Sequence, residues 1–208
     1  YEPGHAMALE QLGLLTYSGM GTNHSTARTI ELLSNAIRHD PTLLNATVFL
    51  GFAIAREDRE AEARQCFERA VRIDAFPPIA MSAYADVLAD WGYFAESEAL
   101  FRKALKKNDR CVLALRDYAR CLLRQESSDE ENNLRRAIEL FERAVAADPK
   151  DAQSHYRLGD ALSCIESETE RAIDHLQKAL KLDPECTKAA EALAEIEADR
   201  LAGGSCLL

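Results

Sequence analysis

Arg116 and Arg120 stand four residues apart, so on a helix both guanidinium groups fall on one face, a turn apart. With Arg157 and Lys188 they are the side chains whose type and placement suit a definite task, holding carboxylates. A guanidinium fork binds a carboxylate through two parallel hydrogen bonds, and a lysine adds a point charge. One well-formed contact of that kind is worth about 1.5–3 kcal/mol. Three of them, with apolar contacts added, support micromolar binding, on the order of −8 kcal/mol. The grouping stands out because the formal net charge of the chain is −10.

Other chemistry finds little footing. The six cysteines, Cys66, Cys111, Cys121, Cys164, Cys186 and Cys206, sit singly, with no CxxC pair and no Cys/His cluster. That spacing disfavours a disulfide scaffold and a zinc site. Single cysteines inside helical patterns act as small hydrophobes in a reducing compartment, which predicts a cytoplasmic, intracellular chain. Cys206 is third from the end, whereas a prenylation box needs it fourth. The five histidines are dispersed, and there is no phosphate-binding glycine loop, H-E-x-x-H, G-x-S-x-G or paired-acid motif. The expectation is a protein that is not an enzyme and binds no cofactor or metal. An acidic chain is poorly suited to a phosphate backbone, so nucleic acid is not an expected partner. No run approaches 18 apolar residues, so no membrane span is expected. A first residue, Tyr1, that is not Met suggests a processed or excised piece of a longer protein.

What must position the four cations is a repeat. Phe67-Glu-Arg-Ala70-Val71 returns as Phe101-Arg-Lys-Ala104-Leu105, as Phe141-Glu-Arg-Ala144-Val145 and as Leu176-Gln-Lys-Ala179-Leu180, with Leu33-Ser-Asn-Ala36-Ile37 as a weaker copy. Ala36, Ala70 and Ala104 are each 34 residues apart; Ala144 follows after 40 and Ala179 after 35. Five residues past the alanine stand Pro41, Pro149 and Pro184, each preceded by Asp, where proline ends a helix. Two copies depart, with Asp74-Ala75 and Asn108-Asp109. Upstream lies a second helix marked by Leu50-Gly51-x-x-Ile54 and Leu158-Gly159-x-x-Leu162, or by Tyr84-Ala85 and Tyr118-Ala119, where the small residue admits a neighbouring backbone. Trp91-Gly92-Tyr-Phe94 supplies a turn between the two.

This two-helix unit, with Ala137, Phe141, Ala144 and Pro149 in phase, resembles the tetratricopeptide repeat family over roughly residues 7 to 203. The resemblance implies an all-α, right-handed superhelical solenoid of antiparallel helix pairs. We place one domain over 1–208, with repeats at about 9–41, 44–77, 78–111, 112–151 and 152–186 and a capping helix at about 187–201. Ser18-Gly-Met-Gly-Thr-Asn-His lengthens the first turn, and an acidic loop from Gln125 to Asn133 lengthens the fourth repeat. Array ends need a polar outer face, which Lys188, Glu191 and Glu195 supply on the last helix.

In the family the first helix of each repeat lines a concave wall on which peptides lie. The resemblance therefore implies a peptide-binding groove lined by Asn45, Val48, Phe49 and Phe52, then Ile79, Ser82, Ala83 and Asp86, then Leu113, Arg116, Asp117 and Arg120, then Gln153, Tyr156, Arg157 and Asp160, with Lys188. The wall runs from apolar to net basic. The family's two-carboxylate clamp for chaperone tails uses lysine and asparagine where this chain has Arg116 and Arg120, asparagine where it has Arg157, and a cation pair where it has Lys188 and Ala192. Both asparagines are replaced and one cation is missing, which sets chaperone tails aside and leaves an acidic peptide site open. Asp86, Asp117 and Asp160 share the wall, and a pair such as Asp117 with Arg157 would neutralise it. Val48, Phe49 and Phe52 suit either a ligand or packing by the long first turn, while His155 falls at a packing position. The expected function is a protein–protein interaction scaffold. Self-association or hetero-assembly through the convex face or the ends is one alternative, and a regulatory domain of a larger enzyme is another.

Overall fold

In a computed structural model, residues 3–19, 25–72, 77–125 and 129–204 are described. Among these described residues, eleven α-helices run α1 (Pro3–Ser18), α2 (Thr26–His39), α3 (Leu44–Ala55), α4 (Glu60–Val71), α5 (Pro78–Asp90), α6 (Phe94–Lys107), α7 (Val112–Arg124), α8 (Glu130–Ala147), α9 (Ala152–Ser163), α10 (Thr169–Leu182) and α11 (Thr187–Gly204). A short 3-10 turn at Glu166–Glu168 precedes α10. There is no strand among the described residues. The fold is an all-α tetratricopeptide solenoid. Contacts group the chain into two compact units, Tyr1–Ala80 and Met81–Leu208. Position 75 and parts of the two long turns, at 20–24 and 126–128, fall outside the described residues, as do His24 and Cys206.

The repeated residues explain the hairpins one by one. Ala36, Ala70, Ala104, Ala144 and Ala179 are fully buried, and so are Phe67, Phe101 and Leu176, with Phe141 1% exposed. The small residue of the partner helix sits against that large one. A Cβ on Gly51 would lie 2.8 Å from the Phe67 ring, and one on Gly159 would lie 2.7 Å from Leu176 Cγ and 3.0 Å from the Ala172 carbonyl oxygen. Gly13 plays the same part in the first hairpin, 2.5 Å from Leu33 Cδ2 on the same construction. These glycines are therefore contact residues, where a methyl group would overpack the seam.

The Asp-Pro stops prove to depend on the acid as much as on the proline. The backbone N–H groups of Asp40, Asn108, Asp148 and Asp183 donate to the carbonyls of Ala36, Ala104, Ala144 and Ala179 at 2.8–3.0 Å. Their side-chain oxygens then accept from the N–H two residues on, Thr42, Arg110, Lys150 and Glu185, at 2.9–3.1 Å. Each Asx-turn closes one helix and aims the next. Asn108 lacks the following proline and makes the same turn, so the polar side chain is the common element. The arginine of Phe-Glu-Arg-Ala braces it: Arg69 donates to the Pro41 carbonyl at 2.6 Å and Arg143 to the Asp109 carbonyl at 3.3 Å. Inside hairpins, Gly92 at φ 84 and Asp58 at φ 56 turn the chain in the left-handed region.

The first helix is tied down by a buried carboxylate. Glu10 is 6% exposed, and its Oε1 accepts from the Ala46 N–H at 3.0 Å, satisfying a donor in the first turn of α3. In the second unit the core runs through Leu115, Tyr118, Leu122, Phe141, Leu158 and Leu162, and continues to α11 through Tyr156, Leu176, Ala179 and Ala189.

Candidate functional site

Helical spacing divides α7 and α9 into two faces. Ala114, Leu115, Tyr118, Ala119 and Leu122 are buried, so Arg116, Asp117 and Arg120 share the remaining side of α7. On α9, Ser154, His155, Leu158 and Leu162 are buried and Gln153, Arg157 and Asp160 share the other side. Arg116, Asp117, Arg120, Gln153 and Arg157 meet around a cleft of about 230 Å³. Three of the four cations expected to act together therefore do line one cleft.

They do not arrive unpartnered. Arg116 Nη1 lies 2.9 Å from Asp151 Oδ2, and that oxygen also accepts from the Ser154 N–H at 3.0 Å, so Asp151 caps α9 and neutralises Arg116 at once. Arg120 Nη2 lies 2.7 Å from Asp86 Oδ1 and 3.5 Å from Asp117 Oδ1. The contact with Asp86 is close and leaves the buried Arg120 Nε without a hydrogen-bond partner. Asp117 Oδ2 accepts from Ser82 Oγ at 3.1 Å. Arg124 extends the ladder to Asp90 and to Asp86, the latter at 3.5 Å.

Arg157 differs. Among the described residues no carboxylate lies within ion-pair reach of it, and its guanidinium sits 5.1 Å over the Tyr156 ring. Lys188 is exposed on α11, outside the cleft lining, and likewise lacks an ion pair among the described residues. Both cations act on the half-buried Asp160. Burial pushes the Asp160 carboxyl above the ordinary carboxylate range, while Arg157 and Lys188 pull it back. Burial likewise raises the carboxyl of Asp117, against the pull of Arg120.

The other expected wall residues have different surroundings. Tyr156 is only 7% exposed and packs with Leu176, Ala179 and Ala189, which makes it a core residue beneath the capping helix. Asn45, Phe49 and Phe52 belong to the first unit. Asn45 is exposed; Phe49 stacks edge-on against Tyr17 of α1 at 5.2 Å, and Phe52 against Phe67 at 5.0 Å. Arg56 covers Tyr17 at 4.3 Å, and Val48 is 4% exposed. This apolar wall is packed by the chain itself. His155, 5% exposed, is a packing residue with a partner that sequence reasoning missed: its Nδ1 lies 2.9 Å from His175 Nδ1, and its Nε2 3.2 Å from the Pro149 carbonyl oxygen. Because that oxygen can only accept, His155 carries its hydrogen on Nε2 and accepts from His175 Nδ1–H.

Asp151 was also missed, although a signal existed. Arg116–Asp151 and Ser82–Asp117 are 35 residues apart, and Asp90–Arg124 is 34 apart, one repeat in each case. Opposite charges one repeat apart occupy equivalent places on successive first helices and meet side by side. The expected pair of Asp117 with Arg157 is replaced by this one-repeat ladder.

The comparisons agree with the geometry. Residues 83–131 and 130–162 match the sequence pattern of the tetratricopeptide repeat. Over 111 residues, 53% of this chain, the sequence is 32% identical to a probable UDP-N-acetylglucosamine–peptide N-acetylglucosaminyltransferase SPINDLY of Solanum lycopersicum. The match spans 11% of that protein's length. Among solved structures, the chain is similar to YrrB, a TPR protein with an unusual peptide-binding site (TM-score 0.59, 20% identity, 90% of this chain and 91% of that one). It is also similar to yeast Tom70 (TM-score 0.76, 17% identity, 96% of this chain and 40% of that one). Helix pairs, anchoring residues and comparisons converge: residues 83–162 carry the tetratricopeptide repeat pattern, and the fold is that of solved tetratricopeptide structures.

Proposed function

We propose that this protein is an interaction scaffold that holds an extended peptide segment against α7 and α9, with an acidic side chain of the segment at Arg157. Tetratricopeptide repeats generally mediate protein–protein interaction. The observation that carries the finer reading is the unequal state of the cations around one cleft: Arg116 and Arg120 are held by Asp151 and Asp86, while Arg157 makes no ion pair among the described residues and only acts at longer range on Asp160. A bound carboxylate would complete Arg157 and reach toward Lys188. Arg120, whose Nε has no hydrogen-bond partner, is the second cation that a ligand could re-aim. The ligand's affinity then rests on one or two charge-assisted contacts, about 1.5–3 kcal/mol each, plus backbone and apolar contacts. Free Cys66, Cys111, Cys121, Cys164 and Cys186 support a reducing, cytoplasmic setting. Among the described residues no helix is long and apolar enough to cross a membrane.

The test is an array of extended peptides that differ in one acidic residue, probed with the chain and with Arg157→Gln. We expect acidic peptides to lose about tenfold in affinity on the substitution, the scale of one charged contact, while their glutamine analogues do not change. Equal binding of both peptide sets by both proteins would refute the reading. Arg157→Gln is preferred to a change at Arg120, which would also strand Asp86.

A second reading, a structural part of a larger assembly, is favoured by the exposed Met7, Leu12 and Leu15 of α1. A third, a regulatory region of a larger enzyme, draws on the match to a short stretch of a probable glycosyltransferase.

A further inference from the structure

We propose that His155 and His175 form a two-imidazole site for a transition-metal dication that clips α9 to α10. The inference stands within the second unit and is independent of the peptide reading. His155 lies on α9 and His175 on α10, the two helices of one hairpin, and their Nδ1 atoms are 2.9 Å apart. Two nitrogens at that separation, each about 2.0–2.1 Å from a shared ion, subtend about 90° at it.

Each ring is suited to its part. A coordinating imidazole donates its other N–H to a carbonyl or a carboxylate, which fixes the tautomer and the ring plane. His155 has that arrangement, since its Nε2 faces the Pro149 carbonyl oxygen at 3.2 Å and its Nδ1 therefore carries a lone pair. Burial holds this ring in place, at 5% exposure. His175 is half-buried, which leaves a path for water and ion, and its plane is inclined by 28° to that of His155. It is the ring that swings, turning Nδ1 from its neighbour toward the ion. Its Nδ1 hydrogen passes to solvent while Nε2 takes one up, so both imidazoles stay neutral.

The surroundings select the ion. Lys178 and Arg171, the α10 cations that act on His175, are already answered, Lys178 by Asp174 at 2.6 Å and Arg171 by Glu142 and Glu168 at 2.5 and 2.7 Å. A dication therefore meets no unpaired cation of α10 there. Among the described residues no third His, Cys, Asp or Glu joins the pair, so water fills the remaining positions. Nitrogen ligands exclude Mg2+ and Ca2+, which take oxygen. A right-angle bite completed by water is the tetragonal pattern of Ni2+ and Cu2+, whereas structural zinc takes four protein ligands at the wider tetrahedral angle. Such an ion replaces one hydrogen bond between α9 and α10 by two coordinate bonds and stabilises the hairpin that carries Arg157.

Titration of the whole chain with Ni2+ at pH 7.5 tests this, beside His175→Gln and Cys164→Ser, both checked for equal helicity. His175→Gln keeps a polar side chain at a half-buried position, and Cys164→Ser removes the exposed thiol at the end of α9. We expect one Ni2+ per chain, a rise in melting temperature, and paramagnetic broadening of NMR signals centred on the two rings. His175→Gln should weaken binding by at least about tenfold and remove the other two effects, while Cys164→Ser binds like the unchanged chain and Mg2+ produces nothing. Binding indifferent to His175→Gln, binding lost in Cys164→Ser, or no Ni2+ bound at millimolar concentration overturns the proposal. Zn2+ held more tightly than Ni2+ overturns the choice of a tetragonal ion.

Discussion

The first helices of the repeats carry two different walls on one scaffold. On α3, in the first unit, Val48, Phe49 and Phe52 form an aromatic run that continues to Tyr17 and Phe67. On α7 and α9, in the second, the corresponding side chains are arginines and aspartates paired across one repeat around an open cleft. Aromatic side chains gain by leaving water, so Phe49 and Phe52 pack edge-on against Tyr17 and Phe67 and are left only partly exposed. Charged side chains lose by leaving water, so they stay half-exposed and satisfy one another at the rim. The charged wall thus stays partly open to water, as the proposed peptide site requires.

The sharpest way to test that contrast is to compare equivalent damage. Phe67→Ala should destabilise the chain by about 3–5 kcal/mol, because the ring is fully buried and anchors both Phe52 and the Gly51 seam. A urea melt checks it; a loss near 1 kcal/mol would mean that the aromatic wall is loosely packed. Asp151→Ala should cost less, about 1–2 kcal/mol, chiefly the cap of α9, because its ion pair with Arg116 is partly solvated. It should also leave Arg116 free and strengthen binding of an acidic peptide. If affinity is unchanged, Arg116 does not face the ligand.

The smallest expected effect is pH-dependent and confined to the second unit. Burial and the neighbouring His155 hold His175 below the ordinary histidine range, with Lys178 and Arg171 adding to this and Asp174 opposing it. The unfolded chain therefore takes up its proton first. Stability contributed by neutral His175 is present above about pH 6.5 and is lost as pH falls below it. Hydrogen exchange of α9 and α10 amides between pH 7.5 and pH 5.5 should show protection falling, and His175→Gln should flatten the change. An identical profile in the variant would remove the histidine pair as its source.

Much of the scaffold was legible because repetition turns weak local signals into strong ones. A buried alanine or phenylalanine is unremarked once; at a steady interval it marks the seam of a hairpin. Gly51 and Gly159 could be read as close-approach residues from their position alone, whereas Gly13 escaped because the first repeat is divergent. The Asx-turn at Asn108 was not legible for a different reason: the polar side chain makes the turn in all four copies, and proline follows it in only three. At the cleft, residue types announced the cations, but their partners required the one-repeat interval to be applied to charges as well as to apolar residues. Tyr156 shows the limit most plainly: a helical wheel places it beside Arg157, while the docking of α11 decides that it is buried.

The sequence by itself determined the helical pairs, their spacing and the identity of the cations, because these depend on local geometry repeated at a near-constant interval. Tertiary structure alone decided which cation is answered by which acid, which aromatic residues are covered, and that α1 turns its larger apolar side chains outward. Those outcomes depend on distances of a few ångströms between helices far apart in the chain. Burial and ion pairing change sharply over such distances, and no local pattern contains them.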